Sequence, residues 1–257
     1  MGHLDHAAFG WLTPVLSYVM ACIGAALGLR CTVRALGATG RSRRNWLITA
    51  ASAIGTGIWT MHFVAMLGFS VSGTEIRYNV PLTILSLLVA MVVVGTGVFA
   101  VGYGRDRARA LFLGGLTTGL GVASMHYLGM AALRLHGVVH YDPVLVGLSV
   151  LIAVVAATAA LWAALNIQSP IAVAVASLVM GVAVSSMHYT GMIAVRVRVS
   201  PAGEVLPGAT AMQFIFPLAV GLGSYLFLTS AFVALSPTAG EREASASAQQ
   251  PVESVAR

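Results

Sequence analysis

Apolar residues run along this chain in seven long stretches separated by shorter polar segments. The stretches are Leu12–Val33, Leu47–Phe69, Val80–Gly102, Ala110–Leu133, Val144–Leu165, Ile171–Val195 and Met212–Leu235. An α-helix needs roughly 20 apolar residues to cross a hydrocarbon core of about 30 Å, and every stretch is long enough. The expected fold is an all-α integral membrane protein of about seven transmembrane helices. Three parts follow: an outer N-terminal segment over 1–11, a membrane domain over 12–235, and a polar tail over 236–257. After Pro237 the tail is rich in Ala, Ser, Gln and Glu, a composition expected to stay disordered.

Composition supports the same class. Hydrophobic residues make up 58% of the chain and charged residues only 9%, against about 25% charged in soluble domains. So little charge cannot cover a water-facing surface, and lipid must be the main solvent. The first apolar run is long and continuous with the rest, unlike a removable signal peptide. All 14 basic residues are Arg. Arg30, Arg34, Arg41, Arg43 and Arg44 gather at the first loop, and Arg105, Arg107 and Arg109 at the third. The second, fourth and sixth loops are poorer, with Arg77, Arg134, and Arg196 with Arg198. The positive-inside rule then makes loops one and three cytoplasmic, the N-terminus outer and the tail inner. The basic balance reports topology and lipid headgroups, so nucleic acid is not an expected partner. Cys22 and Cys31, nine residues apart on helix one, fall on opposite faces and read as small packing residues.

The chain repeats itself. Gly57–Met66, Gly121–Met130 and Val182–Met192 align without gaps around a Met-His pair. A weaker signature precedes each copy: Leu16-Ser17, Leu85-Ser86 and Leu148-Ser149. Tyr78-Asn79-Val80-Pro81 and Tyr141-Asp142-Pro143 open two of those helices alike. The unit is a helical hairpin used three times, with helix seven left over. Parallel repeats of this kind are related by an axis along the membrane normal. His62, His126 and His188 are therefore expected at one depth toward the outer leaflet, converging if the hairpins surround a threefold axis.

Each copy reads Met-His-x-x-x-Met: Met61/His62/Met66, Met125/His126/Met130 and Met187/His188/Met192. His and the Met four residues later share a helix face, one turn apart. Imidazole suits copper, zinc, iron and nickel, whereas thioether sulfur selects soft ions, above all Cu(I). Three His and up to six Met without a carboxylate lean toward copper, and a histidine inside a membrane marks function by default. Thr60, Ser124 and Ser186 precede the Met-His pairs, placed either to orient an imidazole or to bond back to a helix carbonyl. Gly129 and Gly191, with Ala65 at the matching place, permit close helix approach. His3, His6, His136 and His140 fall in the outer segments and read as solvated loop residues.

These motifs carry a family resemblance. Met187-His188-Tyr189-Thr190 and Met125-His126-Tyr127-Leu128-Gly129-Met130 resemble the repeats of the MHYT domain, a bacterial membrane sensor domain. The resemblance covers roughly residues 10 to 235. It implies a multi-pass domain of the bacterial cytoplasmic (inner) membrane that binds copper near the outer face. The implied role is signal transduction, sensing a diatomic gas (O2, CO or NO) or redox state. The implied metal residues are His62, His126 and His188 with Met61, Met66, Met125, Met130, Met187 and Met192. The first copy departs from the pattern, with Phe63 for tyrosine and Ala65 for glycine. Many relatives continue into diguanylate cyclase or phosphodiesterase output domains. This chain stops about 20 residues after helix seven, so a stand-alone receiver, no enzyme itself, is expected to signal to a separate protein. Two other readings stand beside it. One is an intramembrane three-His zinc hydrolase, which needs an acid or base that the spans lack. The other is a copper transporter, which needs ligands along a whole path rather than in one layer.

Overall fold

The computed structural model describes residues 4–5, 10–167, 169–201, 203 and 205–236. His3, His6 and the tail from Pro237 onward lie outside the described residues. Seven helices follow in order: α1 (Leu12–Leu36), α2 (Gly40–Leu67), α3 (Val80–Tyr103), α4 (Arg107–Ala131), α5 (Pro143–Asn166), α6 (Pro170–Ile193) and α7 (Phe216–Leu235). Six are long and apolar enough to cross a membrane. Helix α4 is as long but less apolar, because Gly114, Gly115, Thr117, Thr118, Gly119 and Gly121 dilute its hydrophobic residues. It lies between α3 and α5 all the same.

Helices α1 to α6 pack in sequence order, and α6 returns against α1 to close a ring. Helix α7 packs on α1 and α2. Lipid offers no hydrophobic drive between helices, so close van der Waals packing through small residues must hold them together. The glycines supply it. A Cβ on Gly24 of α1 would lie 2.7 Å from the Gly57 Cα on α2, and one on Gly55 of α2 would lie 2.7 Å from Met91 Cα on α3. Large apolar side chains such as Val92, Phe112, Trp162, Val179 and Phe227 stay exposed around the outside, as a lipid-facing surface requires.

Three helix starts differ from the sequence reading, and one of them, α7, begins at Phe216 rather than Met212, after a π-helical turn over Ala211–Ile215. Arg41, Arg43 and Arg44 belong to the first turns of α2, which begins at Gly40 rather than Leu47. Arg107 and Arg109 likewise lie inside α4, whose N-terminus Asp106 caps by accepting from the backbone N–H of Ala108 and Arg109. Nothing in either segment opposes helix, and a polar first turn needs no apolar solvent. Loops one, three and five shrink to residues 37–39, 104–106 and 167–169.

The N-terminal segment and the other three connections hold short strands that hydropathy did not reveal. These are β1 (Leu4–Asp5), β2 (Ser70–Val71), β3 (Arg77–Tyr78), β4 (Leu133–Arg134), β5 (Gly137–Tyr141), β6 (Val195–Val199) and β7 (Ala209–Thr210). Strand β3 pairs with both β4 and β7, so one small sheet ties together the connections after α2, α4 and α6. Strands β5 and β6 pair over Gly137↔Val199 to Tyr141↔Val195, and β1 pairs with β2. Together they cap the end of the ring where α2, α4 and α6 terminate. Asn79 and Asp142 start α3 and α5 from this cap, each side chain accepting helix N–H groups. The shared Tyr-Asn/Asp opening is thus an N-cap signature.

Candidate functional site

One turn before the capped ends of α2, α4 and α6, the three Met-His pairs turn toward one another. His62, His126 and His188 are each 1% exposed. Their rings stand nearly perpendicular, with centroids 4.9, 4.9 and 5.2 Å apart and interplanar angles of 84°, 78° and 89°. This propeller brings the three Nδ1 atoms together. His62 Nδ1 lies 3.0 Å from His188 Nδ1 and 3.1 Å from His126 Nδ1, and the third side is 3.4 Å. A triangle with those sides has its centre ~1.8 Å from each nitrogen, within a few tenths of an ångström of the usual imidazole–metal bond of about 2.0–2.1 Å.

The chemistry of this triangle is restrictive. A neutral imidazole has one N–H and one lone pair. Three Nδ1–H groups would point hydrogens at one another, and a single N–H satisfies one neighbour well while two lone pairs still face each other. With all protons on Nε2, three lone pairs converge on one point and call for a cation. The donor set therefore fits a metal ion held by three nitrogens.

Packing against glycine, rather than an outer hydrogen bond, sets two of the rings. A Cβ on Gly129 of α4 would stand 2.6 Å from His62 Nε2, and one on Gly191 of α6 would stand 2.5 Å from His126 Nε2. Both Nε2 atoms are buried without a hydrogen-bond partner. These two histidines thus lie over the glycine three positions beyond the next histidine. Ala65 holds the matching place on α2 and is buried. The close approach noted in the sequence is room for an imidazole as much as for a helix.

All six motif methionines are buried: Met61, Met66, Met125, Met130, Met187 and Met192 are each at most 2% exposed. Met66, Met130 and Met192 stand one helical turn beyond the histidines on the cap side, and helical side chains lean back toward the N-terminus. The hydroxyls before the Met-His pairs do not orient the rings. Ser124 bonds back to Leu120 O at 2.8 Å, Ser186 is exposed, and the Thr60 hydroxyl is buried without a partner. Cys22 and Cys31 are free thiols, and His140 lies exposed on β5.

A surrounding layer escaped the sequence reading although both halves of it were visible there. Ser17, Ser86 and Ser149 are fully buried, and each donates its hydroxyl to the carbonyl three residues earlier at 2.7–2.8 Å. Their oxygens therefore remain acceptors. Tyr127, next to His126, reaches Ser149 on α5 at 2.7 Å. Tyr189, next to His188, meets Ser17 on α1 more loosely, completing no hydrogen bond of full geometry. In the first copy Phe63 has no hydroxyl, and Trp59 one turn earlier donates its indole N–H to Ser86 on α3 at 2.9 Å. Three hairpin contacts are served by two chemistries. Constant spacing of the Ser and Tyr signatures was the available signal.

Phe63 joins the triad to the cap, its ring lying 4.6 Å from His62 and 6.2 Å from Tyr78 on β3. The Tyr78 phenol is fully enclosed, and burial raises its pKa above the ordinary value.

Residues 55–114 and 119–177 each match the repeat described as MHYT, bacterial signalling protein N terminal repeat. The chain belongs to the MHYT family. The two matched MHYT stretches start on α2 and α4 and contain His62 and His126. The third Met-His copy on α6 lies beyond them. The chain is 42% identical over 196 residues to the bifunctional diguanylate cyclase/cyclic di-GMP phosphodiesterase MucR of Pseudomonas aeruginosa, covering 73% of this chain and 28% of MucR. It is 36% identical over 209 residues to the cyclic di-GMP phosphodiesterase NbdA of the same organism, covering 79% of this chain and 26% of NbdA. It is 31% identical over 204 residues to the signaling protein YkoW of Bacillus subtilis, covering 74% of this chain and 24% of YkoW. This MHYT chain thus spans about a quarter of the length of the curated relatives it matches. No solved structure matches it.

Proposed function

We propose that this MHYT membrane domain is a sensor in which His62, His126 and His188 hold one copper ion. In this reading the site lies near the outer face of a bacterial inner membrane, with the N-terminus outside and the C-terminus cytoplasmic. The stimulus is a diatomic gas (O2, CO or NO) or a redox change, passed on to a signalling protein or output region. The observation that carries the reading is the buried triangle of three Nδ1 atoms, which needs a cation to neutralise its converging lone pairs. Copper in such a site supplies a soft, redox-active centre that binds diatomic gases. The motif methionines, buried around a ligand set without carboxylate, favour a soft ion over a hard one.

The chain's own residues perform the remaining tasks. The three imidazoles offer their lone pairs from helices that cannot separate easily, because glycine contacts and the cap sheet fix them. The cap and the Phe63–Tyr78 contact keep water from the rings. Helix α7 leads out of the domain and is tied to the site's helices. Tyr225 on α7 bonds Ser52 on α2 at 2.6 Å, and the Arg34 guanidinium on α1 donates to the carbonyls of Val233 on α7 and of Ser236 just after it, at 2.8 and 2.9 Å. A small movement of α2 at His62 therefore pulls on α7. The cyclic di-GMP activities named for MucR and NbdA suggest an output of that class.

The acids in the described residues do not favour a zinc hydrolase. Asp106 and Asp142 cap helices and Glu75 pairs with Arg77, so none of these three stands beside the triad to move a proton. The test is the copper content of protein purified in nanodiscs and loaded with Cu(I). One copper per chain is expected, falling below about a tenth in His126→Ala. Wild-type protein that is folded and binds no Cu(I) sinks the reading.

A further inference from the structure

Directly beneath the histidine layer, on the side away from the cap, the ring holds a partly open cavity of about 50 Å³. Its wall is placed by the repeat itself. Ile58, Val122 and Val184 line it, each four residues before a triad histidine. Ile54, Thr118 and Met180 line it too, each eight residues before. Residues four and eight positions earlier share the histidine's face, one and two turns below it, and the first of these turns is about 6 Å along the axis. The chamber is therefore coaxial with the triad. On α5 its wall is mostly alanine, Ala153 and Ala157 among them, with Leu161 as the one larger side chain. Met187, the residue before His188, also reaches it.

The chemistry of the wall is almost wholly apolar. Thr118 carries the only polar side chain among the lining residues, and its hydroxyl is buried without a hydrogen-bond partner. An apolar cavity stays dry, because a water molecule needs two to four polar partners. A void also forfeits dispersion contacts along its lining. Size narrows the occupant further. An engineered apolar cavity of about 150 Å³ takes benzene or xenon, and this one is a third of that. It suits a molecule of two heavy atoms, or one xenon atom, and is too small for an aromatic ring or a lipid chain.

We infer that this axial chamber is a binding site for one small apolar molecule of diatomic size, held one helical turn below the histidine triangle. Its adjacency to the metal ligands rests on the copper reading for its purpose, but its occupancy does not. A gas dissolved in the bilayer core would be concentrated beside the triad from within the helix ring. The triad would then not depend on access through the polar cap.

The test uses the full chain in nanodiscs without metal, with xenon as the probe. Wild type is expected to give a saturable 129Xe NMR signal distinct from xenon in lipid. Ala157→Phe fills the chamber from α5, away from the histidine helices, and should abolish that signal. Ala157→Leu serves if the phenylalanine variant does not fold, and should weaken xenon binding at least tenfold. No saturable signal in wild type, or an undiminished one in a folded filled variant, overturns the proposal. In a second arm, copper-loaded protein is mixed with CO and followed by the C–O infrared band. Association at least tenfold slower in the filled variant, with copper content unchanged, supports the chamber as the approach to the triad, and equal rates overturn that part. If the chain takes up no copper, the copper reading fails while the xenon result still decides the chamber.

Discussion

Replacing Gly191 with alanine introduces one methyl group at the place where His126 turns its outer nitrogen. The added Cβ would stand 2.5 Å from His126 Nε2, 3.1 Å from Cδ2 and 3.4 Å from Cε1. Ordinary contact begins near 3.4 Å, so the ring must retreat by about 0.9 Å, the difference between 3.4 and 2.5 Å. The neighbouring elements cannot absorb this freely, because the Nδ1 of the same ring already lies 3.1 and 3.4 Å from its two partners. A shift of that size is half the ~1.8 Å separating each nitrogen from the centre of the triangle. Misplaced ligand supports typically cost 10- to 100-fold in metal affinity, equivalent to about 1.4–2.8 kcal/mol. Crowding a packed interior costs roughly 1–3 kcal/mol of stability as well. The assay is Cu(I) competition against a chromophoric chelator, with thermal unfolding of the metal-free protein alongside. Gly147→Ala on α5 is the control, since a Cβ there meets nothing within 4 Å. Cu(I) affinity for Gly191→Ala within twofold of wild type would refute the argument that packing on glycine orients the imidazole. Ala65 occupies the matching position on α2, so the expectation rests on the distances at Gly191 and not on symmetry.

Tyr127→Phe copies the first repeat without its compensating tryptophan and leaves the Ser149 oxygen without its donor. A loss of about 1 kcal/mol is expected in unfolding measurements, and no loss would show that the hydrogen bond is dispensable. Arg34→Met removes the two bonds to Val233 and Ser236. Faster amide hydrogen exchange should follow in the last turn of α7, with copper content unchanged; an unaltered exchange pattern would count against the tether. For topology, Ser72→Cys in the cap and Thr39→Cys in the α1–α2 turn, both exposed, should differ in intact cells. An impermeant maleimide is expected to label the first and spare the second, and the reverse pattern would invert the assigned orientation.

Much of the fold was readable because a membrane makes sequence unusually informative. Every backbone polar group in lipid must be bonded internally, so a long apolar run has helix as its available outcome, and seven runs appear as seven helices. The threefold repeat was equally visible, since all three hairpins carry the Met-His pair and two of them share the Asn/Asp cap and the glycine three residues after the histidine. Helix edges were less legible: the Arg-rich start of α2 is polar yet helical, and hydropathy sees only polarity. The cap strands were invisible, because pairs as short as Arg77–Tyr78 are defined by their partners across three different connections.

The amino-acid sequence determined that this chain enters a membrane, that it is built three times over, and which histidines lie at one depth. Only the tertiary structure decided that their Nδ1 atoms meet, because convergence depends on the closure of α6 onto α1 and on the direction each ring faces. The same closure assigns Gly129 to His62 and Gly191 to His126, and lets Trp59 take over the role that Phe63 cannot fill. It also leaves the axial chamber, a void whose lining is spread over five helices. Periodicity along one helix states which residues share a face, whereas what that face meets is a property of the packed ring.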